Sequence, residues 1–412
     1  MSGMATAEFR RSRNVVIAAF LSWMLDAFDF FILIFVFDNV AASFGMHGPE
    51  AATNAAFAIT LTLATRAIGA FIFGRLADTY GRKPVLMLVI LLYSVFEALS
   101  GLAWSFGSFL VIRALFGIAM GGEWGVGSSL AMETIPSSWR GWVSGLLQAG
   151  YPAGYFLATL LFKYELQHIG WRGMFFVGAV PALLIVFINA HIEESPAFTK
   201  ISTGPRASGL GVLRKNIRLV LYGVVVMAAF NFFSHGTQDI YPKLFLTRQL
   251  HFPHATTANI SLIYNAGAML GGVVFGILSQ RIGRRHAIIA ACILSLAVLW
   301  FWSHGTTPAA IAIAAFLMQF AVQGAWGVVP VYLNELSPAE IRGTFPGVVY
   351  QLGNFLASFN APLQAGIAAA YGGDYGLALM VVAGSVAVIL IILMLFGPEA
   401  RNVSMAGTSA PG

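Results

Sequence analysis

Two aspartates lie in the middle of the first long apolar segment of the chain. Asp26 and Asp29 are three residues apart, so a helix would place both side chains on one face. Two carboxylates that share a poorly solvated cleft should not both be ionised, and at least one of them is then able to carry a proton. The alternative is a permanent ion pair with an arginine of another helix. An acid inside an apolar segment usually serves function, which favours proton coupling or gating.

A second set of polar residues lies in a later apolar segment. A helix would align Asn231, His235 and Asp239 in one stripe, with Ser234 and Gln238 beside it. Histidine changes its charge near neutral pH and can pass a proton to a nearby carboxylate, so His235 and Asp239 form a candidate proton-coupling pair. Asp239 lies close to the predicted end of its helix, where its alternative role is a water-exposed cap.

Arg66 and Glu123 are charged residues of two other apolar segments. A guanidinium offers a planar fork of donors to a carboxylate, so Arg66 is a candidate for binding an organic anion. Its alternative role is an ion pair with one of the two aspartates. Glu123 is a candidate for proton coupling or, alternatively, for an ion pair with Arg140 or another cation of the cytoplasmic half. The remaining charged residues of this kind, expected to orient helices or to gate, are Glu97, Arg113 and Glu133.

The composition indicates which elements must position these residues. The 412-residue chain is 58% hydrophobic and 10% charged, and its mean hydropathy is +0.79, which excludes a water-soluble globular protein. The 44 glycines allow membrane helices to pack closely. The single cysteine, Cys292, excludes a disulfide framework and a cysteine-based metal site. Basic residues occur singly between apolar runs, so the net charge of +6 indicates membrane topology and not nucleic-acid binding.

Twelve apolar segments are long enough to cross the roughly 30 Å hydrocarbon core of a membrane. They are residues 15–37, 55–77, 84–103, 107–132, 142–162, 173–191, 218–241, 255–278, 287–303, 308–334, 343–368 and 376–397. Seventeen of the 23 lysines and arginines lie on one side of these segments and four on the other. Since basic loops tend to stay in the cytoplasm, we expect a multi-pass protein of the inner (plasma) membrane with both termini cytoplasmic.

The two parts of the chain repeat each other at an offset of 202 residues. Gly74-Arg-Leu-Ala-Asp-Thr-Tyr-Gly-Arg-Lys83 returns as Gly276-Ile-Leu-Ser-Gln-Arg-Ile-Gly-Arg-Arg285, and the same offset relates Glu133 and Arg140 to Glu335 and Arg342. The repeat predicts an all-α polytopic membrane protein of 12 transmembrane helices in two six-helix bundles, with a site between them. The predicted parts are a first bundle (1–191), a cytoplasmic central loop (192–217), a second bundle (218–400) and a cytoplasmic tail (401–412).

The loop after the second segment resembles the signature loop of the major facilitator superfamily. That resemblance rests on the pattern Gly-x-Leu-x-Asp-x-x-Gly-Arg-Lys and its degenerate second copy, and it covers nearly the whole chain. It implies the major facilitator fold and membrane transport, without indicating the substrate. Asp78 can pair with basic neighbours or a helix N-terminus in this loop and latch the two halves. The predicted gating-loop residues are Gly74, Asp78, Gly81, Arg82 and Lys83.

Narrower matches concern the substrate. Asn231-Phe-Phe-Ser-His-Gly-Thr-Gln-Asp239 resembles the Asn-x-x-Ser-His-x-Ser/Thr-Gln-Asp motif of fungal lactate permeases, in the sialate/lactate:proton symporter branch. Three further segments look like that branch: Trp23-Met-Leu-Asp-Ala-Phe-Asp-Phe30, Gln148-Ala-Gly-Tyr151 and Tyr350-Gln-Leu-Gly-Asn354. The chain departs from the motif in having Pro242-Lys243 where a threonine is expected. It lacks the extra mid-chain helices of sialate members, which argues against sialate. The resemblance also implies a role for Arg66 in substrate transport.

We therefore predict a proton-coupled symporter of a small monocarboxylate, such as lactate or pyruvate, that works by alternating access as a monomer. The predicted substrate-binding residues are Arg66, Gln148, Tyr151, Asn231, Gln351 and Asn354. The predicted proton-coupling residues are Asp26, Asp29, Glu123, His235 and Asp239. The alternatives are transport of another organic acid (aromatic acid, dicarboxylate or sialate) and, in another class, a membrane sensor without transport. Neither an enzyme nor a bound metal or cofactor is expected, because the loops carry no nucleophile–base or metal-ligand cluster; the proton is the coupling ion.

Overall fold

The chain is built of helices and short connections. The computed structural model describes residues 2–201, 209–401 and 403–405. Its α-helices are α1 (Ser2–Ser43), α2 (Gly48–Tyr80), α3 (Arg82–Gly101), α4 (Phe106–Gly121), α5 (Glu123–Thr134), α6 (Arg140–Val177), α7 (Ala182–His191), α8 (Pro196–Ile201), α9 (Gly209–Lys215), α10 (Ile217–Gln238), α11 (His254–Ile282), α12 (Arg284–His304), α13 (Pro308–Leu336), α14 (Phe345–Ala357), α15 (Asn360–Ala370) and α16 (Tyr375–Phe396). Two 3-10 helices (Ser137–Trp139 and Ala339–Ile341) and a π-helix (Tyr241–Gln249) lie between them.

Three of the twelve predicted membrane segments, 142–162, 173–191 and 343–368, are not among the uninterrupted spans. Among the described residues, nine helical stretches are long and apolar enough to cross a membrane, or ten if the bent pair Ser137–Val177 and Ala182–His191 counts as one span. Gly170 has a φ of 66° and breaks α6 between the predicted segments 142–162 and 173–191. The predicted segment 343–368 is divided between α14 and α15. These breaks account for the difference between the twelve segments and the uninterrupted spans.

Glycines bring the helices of the first half of the chain close together at the depth of its charged residues. A Cβ at Gly121 of α4 would lie 2.0 Å from the carbonyl oxygen of Arg66 in α2. A Cβ at Gly154 of α6 would lie 2.2 Å from the carbonyl oxygen of Met24 in α1. No larger residue fits at either contact, so glycine sets the spacing of these helix pairs.

The two copies of the repeat contain the same ion pair. Arg82 contacts both carboxylate oxygens of Glu133 at 3.1 Å. Arg284 contacts both oxygens of Glu335 at 2.8 and 3.1 Å. Each pair follows a glycine with positive φ, Gly81 at 115° and Gly283 at 101°, which is backbone that favours glycine. Residues that are 202 positions apart in these two regions therefore share their local geometry as well as their sequence pattern.

Hydrogen bonds and ion pairs join α1–α7, the first half, to α10–α16, the second half, at one end of the helices. Asp78 accepts from the backbone nitrogens of Gly343 at 2.7 Å and Thr344 at 3.1 Å. The ion pairs Arg140–Glu335 and Arg342–Glu133 each measure 3.6 Å. We call this the closed end, and it is defined by Asp78, Glu133, Arg140, Glu335, Arg342, Gly343 and Thr344. The start of α1 also reaches it, since Arg11 donates to the Glu194 carbonyl at 3.0 Å.

Candidate functional site

Arg66 and Asp26 form a buried ion pair between α2 and α1. Arg66 Nη2 donates to Asp26 Oδ2 at 3.1 Å, and the two side chains are 3% and 0% exposed. Within the described part of the chain, Arg66 Nε and Asp26 Oδ1 have no hydrogen-bond partner. The ion pair considered as an alternative for Arg66 is therefore present, but it is made through one nitrogen only. Each member keeps a polar atom that can bind a ligand.

Asp29 belongs to a different charged cluster from Asp26. Arg113 Nη1 donates to Glu97 Oε2 at 2.6 Å, and both side chains are fully buried. A Cβ at Gly178 would lie 3.1 Å from Asp29 Oδ1 and 2.5 Å from Glu97 Cγ, so Asp29 lies beside this pair. Among the described residues, both carboxylate oxygens of Asp29 lack a hydrogen-bond partner. One guanidinium can compensate the charge of only one of two buried carboxylates.

Glu123 is buried at the start of α5, beside a small cavity that Trp23 also lines. The residue is 1% exposed, and its Oε2 has no hydrogen-bond partner in the described ranges. Arg140, the alternative partner considered for Glu123, contacts Glu335 at 3.6 Å and donates from Nε to the Met132 carbonyl at 3.1 Å. The alternative of a Glu123–Arg140 ion pair was therefore wrong. Arg140 contacts Glu335 at the closed end, because α6 begins there.

Aromatic rings form a layer between the two halves. The ring centroid of Tyr350 in α14 lies 4.7 Å from that of Trp124 and 6.5 Å from that of Trp23. The Tyr151 ring lies 5.4 Å from Trp23. The helix α14, which carries Tyr350, packs against α2, which carries Arg66. Such rings can pack against the apolar body of a ligand whose charged group binds Arg66.

Two buried glutamines adjoin this layer with unpaired amide atoms. Gln351 is 2% exposed and Gln148 is 8% exposed. Both amide atoms of Gln351, and Oε1 of Gln148, lack a hydrogen-bond partner among the described residues. Buried polar atoms are usually paired in folded proteins. These amides are therefore available to a ligand or to water that enters the site.

His235 links α10 to α14. Its Nδ1 lies 3.2 Å from Asp239 Oδ1, and its Nε2 lies 3.3 Å from Asn354 Oδ1. The side chains of His235 and Asp239 are 39% and 40% exposed. Asn231 instead donates to the carbonyl of Met227 in its own helix at 2.8 Å. The structure thus brings three of the predicted site residues of the second half together and leaves Asn231 apart from them.

Further amides of the second half contact the same stripe. Gln323 Nε2 donates to Ser234 Oγ at 3.0 Å, and Gln238 Nε2 donates to Gln319 Oε1 at 3.0 Å. Gln364 Nε2 donates to the Gly236 carbonyl at 2.7 Å. Sequence reasoning missed Gln319, Gln323, Asn360 and Gln364. The signal that would have found them is the spacing of polar amides four residues apart inside the apolar segments 308–334 and 343–368.

The predicted gating-loop residues lie at the closed end. Asp78 pairs with Arg82 at 3.2 Å, and Lys83 Nζ donates to the Asn189 carbonyl at 3.1 Å. The backbone nitrogens of Arg82 and Lys83 donate to the carboxylate of Glu194 at 3.0 and 3.2 Å. A carboxylate at the N-terminus of α3 satisfies free N–H groups there and favours the helix dipole. Gly74 lets α2 meet the second half, since a Cβ there would lie 2.6 Å from the Thr344 Cα.

The described residues contain no group of three or more His, Cys, Asp or Glu side chains that could hold a metal ion. Cys292 is fully buried among apolar residues of the second half.

The profile of the family described as "Sugar (and other) transporter" matches residues 14–218 and again residues 219–403. The chain belongs to this family. The sialic acid transporter NanX of Escherichia coli (strain K12) is 28% identical over 401 residues, which cover 95% of this chain and 97% of NanX. A carboxylic acid transporter protein homolog of Saccharomyces cerevisiae is 25% identical over 423 residues, which cover 94% of this chain and 68% of that protein.

A solved transporter structure has the same fold. The major facilitator superfamily proton:xylose symporter XylE, bound to 6-bromo-6-deoxy-D-glucose, matches with a TM-score of 0.79 at 17% identity. The match covers 96% of this chain and 98% of the XylE chain. The all-α polytopic architecture with the major facilitator fold is therefore confirmed. The protein is a multi-pass membrane transporter.

Proposed function

We propose that this transporter is a proton-coupled symporter of a small monocarboxylate, such as lactate or pyruvate, and that it works by alternating access. The observation that carries the proposal is the half-satisfied pair of Arg66 and Asp26. The Arg66 guanidinium is buried on α2, which packs against α14 of the second half, and its Nε has no hydrogen-bond partner among the described residues. A carboxylate that binds there replaces the water it loses with charge-assisted hydrogen bonds. Gln148 and Gln351 would bind the other polar atoms of the substrate, next to Tyr151.

Proton coupling would follow from competition for Arg66. When Asp26 is ionised, it holds Arg66 Nη2. When a proton neutralises Asp26, the guanidinium loses its counter-ion and attracts the substrate carboxylate. Proton and anion then enter together without net charge, so a pH gradient can drive accumulation. Asp29, Glu123 and the partly exposed His235–Asp239 pair are the other candidates for the proton path, because each is an ionisable group within the membrane segments.

The motif resemblance supports the monocarboxylate class. The segment around Asn231 resembles a motif of fungal lactate permeases, and the segments around Asp26, Gln148 and Gln351 look like those of the wider sialate/lactate:proton symporter branch. The carboxylic acid transporter homolog of yeast is a relative over 94% of this chain. We further propose that the protein lies in the inner (plasma) membrane with its closed end and both termini in the cytoplasm, and that it functions as a monomer with no cofactor besides the proton.

A second candidate is the transport of another organic acid. NanX is named as a sialic acid transporter, and the match covers 97% of NanX and 95% of this chain. The lack of extra mid-chain helices in this chain is therefore not an argument against sialate. The aromatic layer of Trp23, Trp124, Tyr151 and Tyr350 also offers packing surface to an acid larger than lactate. The alternative of a membrane sensor without transport gains no support, because the chain belongs to a transporter family.

The test is uptake into proteoliposomes. Purified protein is reconstituted, an inward proton gradient is imposed, and accumulation of labelled lactate is measured with and without pyruvate, acetate, a dicarboxylate, an aromatic acid or sialate as competitor. We expect gradient-dependent accumulation of lactate that pyruvate inhibits. Accumulation of sialate or an aromatic acid without any monocarboxylate transport would favour the second candidate. If monocarboxylate uptake did not depend on the proton gradient, the proposed proton coupling would be wrong.

A further inference from the structure

The segment that follows α16 crosses the closed end between two arginines. Arg140 Nη1 donates to the carbonyl oxygen of Val403, and Arg342 Nη1 donates to that of Met405, both at 2.8 Å. Arg140 begins α6 in the first half, whereas Arg342 precedes α14 in the second half. Residues 403–405, which we call the strap, therefore contact both halves at once.

The two arginines occupy equivalent positions of the repeat. Each donates from Nε to the carbonyl eight residues earlier, Met132 for Arg140 and Asn334 for Arg342, at 3.1 Å. Each also faces a glutamate of the opposite half at 3.6 Å. The strap adds a shorter bond to each of them. It thus joins two equivalent points that belong to different halves.

Apolar burial also holds the strap in place. Met405 is 4% exposed and Ala400 is 1% exposed. Both belong to the hydrophobic core that includes residues of the two halves, and Val403 packs against it. Here charge-assisted hydrogen bonds and apolar contacts fix three residues at the interface.

We propose that the strap is a conformational latch that stabilises the state with the closed end shut. The proposal rests on the alternating-access function proposed above. Opening this end requires Arg140 and Arg342 to move apart. The two strap carbonyls are two residues apart, and two extended residues span at most about 7 Å. The strap cannot hold both arginines once they separate, so opening breaks at least one hydrogen bond to a charged group and exposes Met405.

The experiment compares two truncations. A chain that ends at Arg401 lacks the strap, whereas a chain that ends at Gly407 retains it and keeps the Met405 carbonyl in a peptide bond. Residues 406–412 lie outside the described residues, and both truncations remove 408–412. Spin labels are placed at Tyr80→Cys and Ile282→Cys, exposed positions at the ends of α2 and α11, in a Cys292→Ser background. Distances between the labels are measured by double electron–electron resonance, without substrate or proton gradient.

The quantity compared is the ratio of the population with longer label distances to the closed population. We expect this ratio to be about tenfold larger in the chain that ends at Arg401 than in the chain that ends at Gly407. Identical distance distributions in the two chains would overturn the latch. If the shorter chain does not fold, Met405→Ser and Met405→Leu are compared in the full chain, and only the serine variant should shift towards longer distances. Equal distributions for these two variants would also overturn it. The distance measurement needs no substrate. If the protein failed to take up lactate, the proposed substrate would be wrong, but the test of the latch would still be valid.

Discussion

Arg66 donates to Asp26 through a single nitrogen, at 3.1 Å, although both side chains are almost completely removed from solvent. A guanidinium can form two parallel bonds to one carboxylate, and a buried pair that only stabilised the fold would gain from doing so. Here Arg66 Nε and Asp26 Oδ1 have no hydrogen-bond partner among the described residues. The geometry fits a pair that exchanges partners when a substrate carboxylate and a proton arrive.

Substitutions of Arg66 should distinguish what its charge contributes to lactate binding from what its planar arrangement of donors contributes. Arg66→Lys keeps the charge but loses the planar fork, so we expect lactate affinity to fall about tenfold or more, since a hydrogen bond to a charged group contributes about 1.5–3 kcal/mol. Arg66→Ala should show no measurable binding. Affinity is measured by calorimetry on purified protein, and size-exclusion chromatography checks folding.

The control for this series is Arg248→Ala, because Arg248 is an exposed cation of the π-helix away from the site. Its lactate affinity should equal that of the unchanged protein. Near-normal affinity in a well-folded Arg66→Ala variant would assign Arg66 to structure. The anion site would then move to the polar groups of α10 and α14.

Neutralising the proton carrier should uncouple transport. In Asp26→Asn, Arg66 has no competing charge, so we expect substrate binding and counterflow to persist while accumulation driven by a pH gradient is lost. Asp29→Asn and His235→Ala are measured in parallel, because Asp29 lies in the separate cluster with Glu97 and Arg113. Normal accumulation in all three variants would show that the proton path runs elsewhere.

The orientation of the helices can be tested with two single cysteines. Tyr80 lies at the closed end and is 68% exposed, and Trp104 lies in the connection between α3 and α4 and is 81% exposed. In a Cys292→Ser background, Trp104→Cys should react with a membrane-impermeant thiol reagent in intact cells. Tyr80→Cys should react only after permeabilisation. The reverse pattern would place the closed end and the termini outside the cytoplasm.

The depth of Arg66 and Asp26 was predictable from sequence, but the partner of Asp29 was not. Asp26 and Arg66 each lie eleven residues from the start of their predicted segments, 15–37 and 55–77, so a rise of 1.5 Å per residue places both at mid-depth, and the structure pairs them. The spacing of Asp26 and Asp29 predicts a shared helix face, but the neighbour of each residue depends on how α1 packs against other helices. Gly178 allows Glu97 to approach Asp29, and nothing local in the sequence encodes that contact.

Uncharged polar residues were the main omission in the second half. Gln319 and Gln323 lie in an apolar segment without a charge or a family motif, so they did not stand out as Asn231 did. Asn231 was selected from a motif, but its side chain bonds within its own helix, at the Met227 carbonyl. A side chain's use depends on helix rotation, which tertiary packing decides. For the same reason, the contacts of the short strap could not be foreseen from its composition.

Close packing at Gly121 should matter for both stability and binding. A Cβ there would lie 2.0 Å from the Arg66 carbonyl oxygen, and backbone atoms of α2 cannot give way as a flexible side chain would. We expect Gly121→Ala to force α2 and α4 apart, to destabilise the protein by about 1–3 kcal/mol as overpacked sites do, and to weaken lactate binding by displacing Arg66.

Gly366→Ala in α15 is the matched control, since a Cβ there meets nothing within 4 Å. It should leave the protein unchanged or slightly more stable, because alanine favours a helix over glycine. Stability is measured as the temperature at which half of the detergent-solubilised protein leaves the monomer peak. Equal transition temperatures for the two variants would show that α2 does not depend on Gly121 to place Arg66.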